Sequence, residues 1–401
     1  MANIIHTRRS FITGLPAVTV GCLGFSDGRS NSDETSTQAS TGGFWLMYRG
    51  SKTNDGTTTR TNLSPVVAKD AEYKPDGVVV TEPVVFDDKI FSVTNSNMLI
   101  RMNYKTGDVY SFDLGEGRMF DRTPCMVDDT GLIVASDEKI ARFDLDSEEF
   151  VWETDGLLAE FGAGPTSPTL DGESVYVGLS GHGGVMSIDT ADGSRNWLYE
   201  DANAINGPIT ASESAIFTLD TDGNVTSIDK TNGDRAWGVN LPDGGTNTVI
   251  GLSNDELYFG DRSGTVYSFT VAGEKNWSHG VSDSEIYSPA ITDRYVFLAD
   301  DEPSMYAVER ETGETVARKR LSDYSPRDAS VPLAHTNRVG IITDQDGFVV
   351  FEVAENELSK LSESDVDGRS DVSPVVVDGR LFTAHTTVQA HLLKESSENR
   401  T

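Results

Sequence analysis

Only two cysteines, Cys22 and Cys125, occur in 401 residues, so no disulfide framework is available. Cys125 follows Pro124 in an apolar stretch and is expected to be a buried, inert thiol. Basic residues are scarce as well. The chain has 32 Lys and Arg against 64 Asp and Glu, a net charge of −32. No cluster of cations stands out along the sequence, which excludes nucleic acid or an anionic bilayer as the main partner, because phosphate binding needs a basic patch. No apolar run is long enough to cross a bilayer. No segment keeps a 3.6-residue apolar period over three turns, so helices are not expected.

What is present is acid, spread over the whole chain rather than gathered in a tail. Such a surface repels itself in dilute saline. Concentrated salt relieves the repulsion, with a Debye length of about 3 Å at 1 M. A halophilic source is the expectation, and an ordinary acidic secreted protein is the alternative. The first acidic residue is Asp27. Ahead of it, Thr7-Arg8-Arg9-Ser10-Phe11-Ile12 and the short apolar run after it resemble a twin-arginine export signal built on Arg8 and Arg9. Thr19-Val20-Gly21-Cys22 resembles a lipobox with Cys22 as the lipidated residue. The expected organisation is therefore a signal over 1–21, a Ser/Thr/Gly-rich tether over 22–43, a folded body over 44–395 and a short tail over 396–401.

The body is repetitive. Pro83, Pro124, Pro168, Pro208, Thr248, Pro289, Pro332 and Pro374 open eight similar units, spaced 41, 44, 40, 40, 41, 43 and 42 residues apart. Each unit alternates short apolar runs with Asp/Gly turns, the pattern of four strands joined by tight hairpins. A four-stranded sheet of this size cannot bury both faces alone, and radial stacking solves that, so an all-β, eight-bladed β-propeller of antiparallel blades is predicted. Unit eight ends after three strands near Lys394. An N-terminal strand must close it, Val66 to Tyr73 in preference to Phe44 to Tyr48.

The segments from Ser187 to Trp197 and from Ser227 to Trp237 resemble the PQQ-like, or quinoprotein-type, repeat AxDxxTGxxxW. The resemblance implies that each Trp docks on the next blade over a turn glycine, which makes Trp152, Trp197, Trp237, Trp277, Gly193 and Gly233 structural residues. The second unit has Glu148 in place of the turn Gly, and the sixth has Ala317 in place of Trp. Quinoprotein alcohol dehydrogenases of this family carry adjacent cysteines beside the quinone and a calcium ion. Cys22 and Cys125 depart from that pattern, so neither PQQ nor Ca2+ is expected.

The remaining chemistry is thin. The six histidines show no metal-ligand spacing, and no nucleophile elbow occurs. The Asp-rich segments at Asp220–Asn224 and Asp344–Gly347 fall where second-to-third-strand hairpins belong. A surface role follows. Links between blades suggest a partner-binding rim at Arg118, Phe120, Arg122, Leu157 and Phe161. The expected protein is a monomeric, non-enzymatic, lipid-anchored extracytoplasmic scaffold with a protein partner, similar to the lipoproteins of outer-membrane β-barrel assembly. A quinoprotein oxidoreductase and a glycan- or peptide-binding module are the alternatives.

Overall fold

A computed structural model describes residues 44–394, apart from 48, 59–62, 117–118, 155–157, 159–163, 245–247, 303, 322–329, 344–345 and 367–371. Cys22, Arg8, Arg9, Arg118, Leu157 and Phe161 lie outside the described residues. The described chain is all β, in eight antiparallel sheets. In each sheet the strands are lettered A to D from the channel outward. Blade three, with strands Thr169–Asp171, Ser174–Gly178, Val185–Asp189 and Arg195–Tyr199, is typical. The A strands of successive blades lie side by side around a common axis, so the eight sheets form the predicted propeller.

Alternation along the strands builds the core. In strand B of blade five, Glu256–Gly260, Leu257, Tyr258 and Phe259 are fully buried, because a blade in mid-ring has neighbours on both faces. The Ser/Thr-Pro unit starts have a physical reason too. The Thr123 hydroxyl accepts the Glu82 N–H at 3.2 Å, Ser167 that of Thr123 at 3.1 Å, and Ser288 that of Val249 at 3.0 Å. Each hydroxyl satisfies a backbone donor of the preceding blade that the short A strand leaves unpaired.

Ring closure uses Val66–Tyr73, which pairs antiparallel with Val388–Leu393 as strand D of blade eight, with two bulges. Phe44–Trp45 instead pairs with Val84–Phe86 and adds a fifth, innermost strand to blade one.

The closure joint contains a buried imidazole. His391 is 4% exposed, with Nε2 beside the Gln389 Oε1 at 2.8 Å. Burial, with the Lys69 charge adding to it, pushes its pKa down from 6.5 to about 4. The unfolded chain therefore binds a proton between these values that the folded chain does not, and stability rises with pH across that window. Thermal midpoints should fall as pH drops from 6.5 towards 4, and His391→Gln should flatten that part of the profile. An unchanged slope in the variant would remove His391 from the acid limb.

Candidate functional site

Three regions of the propeller bring polar or aromatic side chains together: the joints between blades, the channel and the two rims. At the joints, the Asp or Asn that ends strand C in blades one to four organises the C–D turn. Asp189 accepts the Ala191 N–H at 2.7 Å and Asp229 the Thr231 N–H at 2.8 Å. Asp144 does the same for Ser147, and these bonds hold its carboxyl below the usual carboxylate range. The turn then reaches a glycine at positive φ, +74° at Gly193 and +77° at Gly233.

The indole of the preceding blade lies on that glycine. A Cβ at Gly193 would come within 2.6 Å of Trp152, at Gly233 within 2.8 Å of Trp197, at Gly273 within 2.7 Å of Trp237 and at Gly313 within 2.5 Å of Trp277. Each indole N–H also donates to a carbonyl of the same turn, at Thr190, Lys230, Val271 and Arg310, over 2.8–3.0 Å. The outer strand of blade one, Val109–Asp113, has no Trp. The facing turn in blade two carries Glu148 at φ +59°, because no ring demands a missing Cβ there. Gly107 in blade one has nothing within 4 Å of such a Cβ.

These geometries predict a difference between two glycines of nearly equal φ. Gly107→Ala should cost only backbone strain, about 1 kcal/mol. Gly233→Ala should cost about 3 kcal/mol, because the Trp197 ring must move as well. Denaturant midpoints of both variants check this, and equal losses would mean the indole contact is not tight.

The channel is occupied at one end by the chain itself. From Phe44–Trp45 on blade one, the segment visits the A strands in order. The Leu46 carbonyl accepts the N–H of Met126 on blade two, and the Lys52 ammonium meets Asp171 on blade three at 2.6 Å. The carbonyls of Lys52, Thr53, Asp55 and Gly56 then accept the N–H groups of Ala211, Leu252, Ile291 and Ala334 on blades four to seven. Leu63 packs into the core between blades seven and eight.

This girdle is pinned from inside. Arg49 is 3% exposed; its guanidinium donates to the Asn54 carbonyl at 3.1 Å and to the Pro289 carbonyl on blade six. A Cβ at Gly56 would sit 1.9 Å from that guanidinium. Asn54 donates to Ile209 and Thr210. Glu82 accepts the Arg49 N–H and a bond from Ser373, and burial raises its carboxyl above the ordinary range. Asp55 is raised for the same reason. Nothing in the sequence marked Lys52 to Thr58 for this role.

The adjacent cysteines of the quinoprotein pattern have no counterpart among the described residues. Cys125 is a lone thiol in strand A of blade two, buried and pushed up to about 12 by that burial. Among the described residues no three His, Cys, Asp or Glu side chains converge in a way that could hold a metal ion. The Asp220 carboxylate accepts the N–H groups of Asp222, Asn224 and Asn203, so it is engaged by its own hairpin and a neighbouring loop.

At the rim, Phe120 is 2% exposed and packs against Phe150 with ring centroids 6.0 Å apart. The expectation that it faces a partner is corrected: its ring belongs to the core. Arg122 binds Asp121 at 2.6 Å, Asp137 at 2.8 Å and the Pro165 carbonyl at 2.7 Å, tying two inter-blade links together. Further out, Thr226 stands at the strand position that Tyr267 and Tyr306 fill in the next two blades. A polar cleft of about 370 Å³ opens there, lined by Glu200, Asp201, Asn203, Asn224, Thr226 and Arg235.

Removing the girdle should orphan several buried donors of the A strands. A chain starting at residue 60 should lose roughly 5 kcal/mol relative to one starting at residue 42, at about 1 kcal/mol per net hydrogen bond. Urea unfolding measures it, and equal midpoints would make the girdle a passive passenger.

The family model described as outer membrane protein assembly factor BamB matches residues 136–288 and 221–397. No curated protein matches the chain. Among solved structures, BamB from Moraxella catarrhalis aligns with a TM-score of 0.64 at 14% identity, covering 82% of this chain and 100% of that one. The quinohemoprotein alcohol dehydrogenase of Pseudomonas putida HK5 gives 0.73 at 11% identity, over 88% and 81% of the two chains. That of Comamonas testosteroni gives 0.70 at 11%, over 89% and 82%. At these identities the structural likeness carries the fold alone.

Proposed function

The chain belongs to the PQQ-like propeller family whose model is described as outer membrane protein assembly factor BamB, and we propose that it is a non-enzymatic, membrane-anchored extracytoplasmic scaffold that binds another protein. The observation that carries this reading is the girdle. Residues 49–58 run along the A strands, and their buried polar groups bind the blades and one another. That leaves the outer surface as the working part. Cys22 supplies the lipid anchor, Arg8 and Arg9 the export signal, and residues 22–43 the tether. The charge of −32 suits a source that lives in concentrated salt, a haloarchaeon, where the scaffold would serve the cell surface because no outer membrane exists.

A quinoprotein oxidoreductase is the second reading, since two quinohemoprotein alcohol dehydrogenases share this fold. Against it stands the lone, buried Cys125.

Cys22→Ser should move the protein from the membrane to the soluble fraction, and cross-linking in native membranes should capture a protein neighbour. Titration with PQQ and calcium should leave no stoichiometric quinone absorbance on the protein. Dye-linked alcohol oxidation by the loaded protein would replace the scaffold with the enzyme, and unchanged fractionation of the variant would remove the anchor.

A further inference from the structure

We infer that the outer strands of blades three to six form a docking surface for an acidic partner protein, which lays an extended acidic segment along one of their exposed edges. This names the working surface of the proposed scaffold and rests on that reading. The strands are Arg195–Tyr199, Arg235–Asn240, Lys275–Gly280 and Thr315–Arg320, 23 residues in all. They contain no Asp or Glu, in a chain where 64 of 401 residues are acidic. They carry Arg195, Arg235, Lys275, Arg318, Lys319 and Arg320, every one of them exposed. Arg195, Arg235 and Lys275 each precede the docking Trp by two residues, so the ring sets them side by side although 40 residues separate each from the next.

The other outer strands differ. That of blade two begins and ends on Glu149 and Glu153, that of blade seven carries Glu357 and Glu363, and that of blade eight carries Asp70 and Glu72. Charged side chains, Lys above all, guard an edge strand against aggregation, yet four of these six cations are Arg. Acids outnumber cations two to one here, so guarding alone gives no reason for four adjacent edges to use cations only. Asp192, Asp234, Glu274 and Glu314 in the C–D turns bound the belt on one side.

The occupant follows from two features together. Each of these strands is outermost in its sheet, so it can pair with an added strand, and the cations select an acidic one. In molar salt a Debye length of about 3 Å leaves charge effective only at contact. Backbone pairing then provides the hold and the cations the choice. A flat anionic membrane would meet the cations but could not use the strand edge, and the acidic turns would press against it.

The test uses the full chain and a labelled peptide of alternating Glu and Val, titrated at about 0.5 M KCl. The combined variant Arg318→Glu, Lys319→Glu, Arg320→Glu should bind it at least about tenfold more weakly. The milder Arg318→Gln, Lys319→Gln, Arg320→Gln should lie between it and wild type, and it guards against a folding defect. Lys105→Glu with Lys360→Glu, outside the belt, should bind as wild type does. Equal affinity across all variants, no peptide binding by wild type, or belt-dependent sedimentation with phosphatidylglycerol vesicles in place of peptide binding would each overturn the proposal. Lysine cross-linking in native membranes separates it from the parent reading. Neighbours captured only at the rim that carries the links between blades, with Lys275 and Lys319 unreacted, would overturn the belt and leave the scaffold, and no neighbour at all would overturn both.

Discussion

The short A strands pose the constraint on which the rest of this propeller depends. A strand of two or three residues at the channel wall has one edge paired within its blade and another facing the axis. Buried backbone groups left without partners there would cost about 1–3 kcal/mol each. The chain meets the constraint with its own N-terminal segment, which gives one carbonyl to each of blades two and four to seven. It then continues into Val66–Tyr73, the outer strand of blade eight. One continuous stretch thus lines the ring from within and closes it from outside. Radial order, channel lining and closure become a single problem, because one stretch of chain supplies both the girdle and the closing strand Val66–Tyr73.

The joints solve a different problem, how two sheets with twisted faces stay in step. A Trp on strand D reaches the turn of the next blade and combines area burial with one directional bond from the indole N–H. The ring and the carbonyl fix both distance and rotation. Where the Trp is missing, other contacts take over. At blade six, Ala317 shares a cluster with Phe351, Leu358 and Val353 of blade seven, and the two outer strands approach one another. The turn opposite then uses Glu355 and Asn356 at positive φ rather than glycine. Trp and Gly are one device split across two blades: the outer strands of blades one and six lack the Trp and the turns of blades two and seven lack the Gly, while Gly107 alone keeps its place with no ring against it.

That pairing explains how much was legible beforehand. Period, strand count, the closing strand and the aromatic joints all follow from local pattern, because each is repeated about every forty residues or forced by the ring's arithmetic. The girdle is not repeated. Lys52 to Thr58 is a polar stretch without alternation, and only the ring gives its carbonyls their partners. Phe120 misled for a related reason: an aromatic between two arginines looks like a contact surface, yet the link folds it inward onto Phe150. The cationic belt escaped notice because a patch was sought along the chain. Its members are far apart in sequence and meet only when blades three to six stand side by side.

The distribution of acid gains meaning from that arrangement. A chain with two acids for every cation has many exposed sites at which a carboxylate would serve solubility, and most of its turns use one. Exclusion of acid from four consecutive outer strands is therefore a constraint on those strands and not a by-product of composition. The channel cannot supply a competing explanation, since Arg49, Asn54 and Glu82 bind within the fold and present nothing to the exterior. A propeller whose interior is committed to holding itself together has its circumference and rims left for recognition. The circumference also offers an outer strand edge on every blade, so charge and backbone geometry converge on the same four strands.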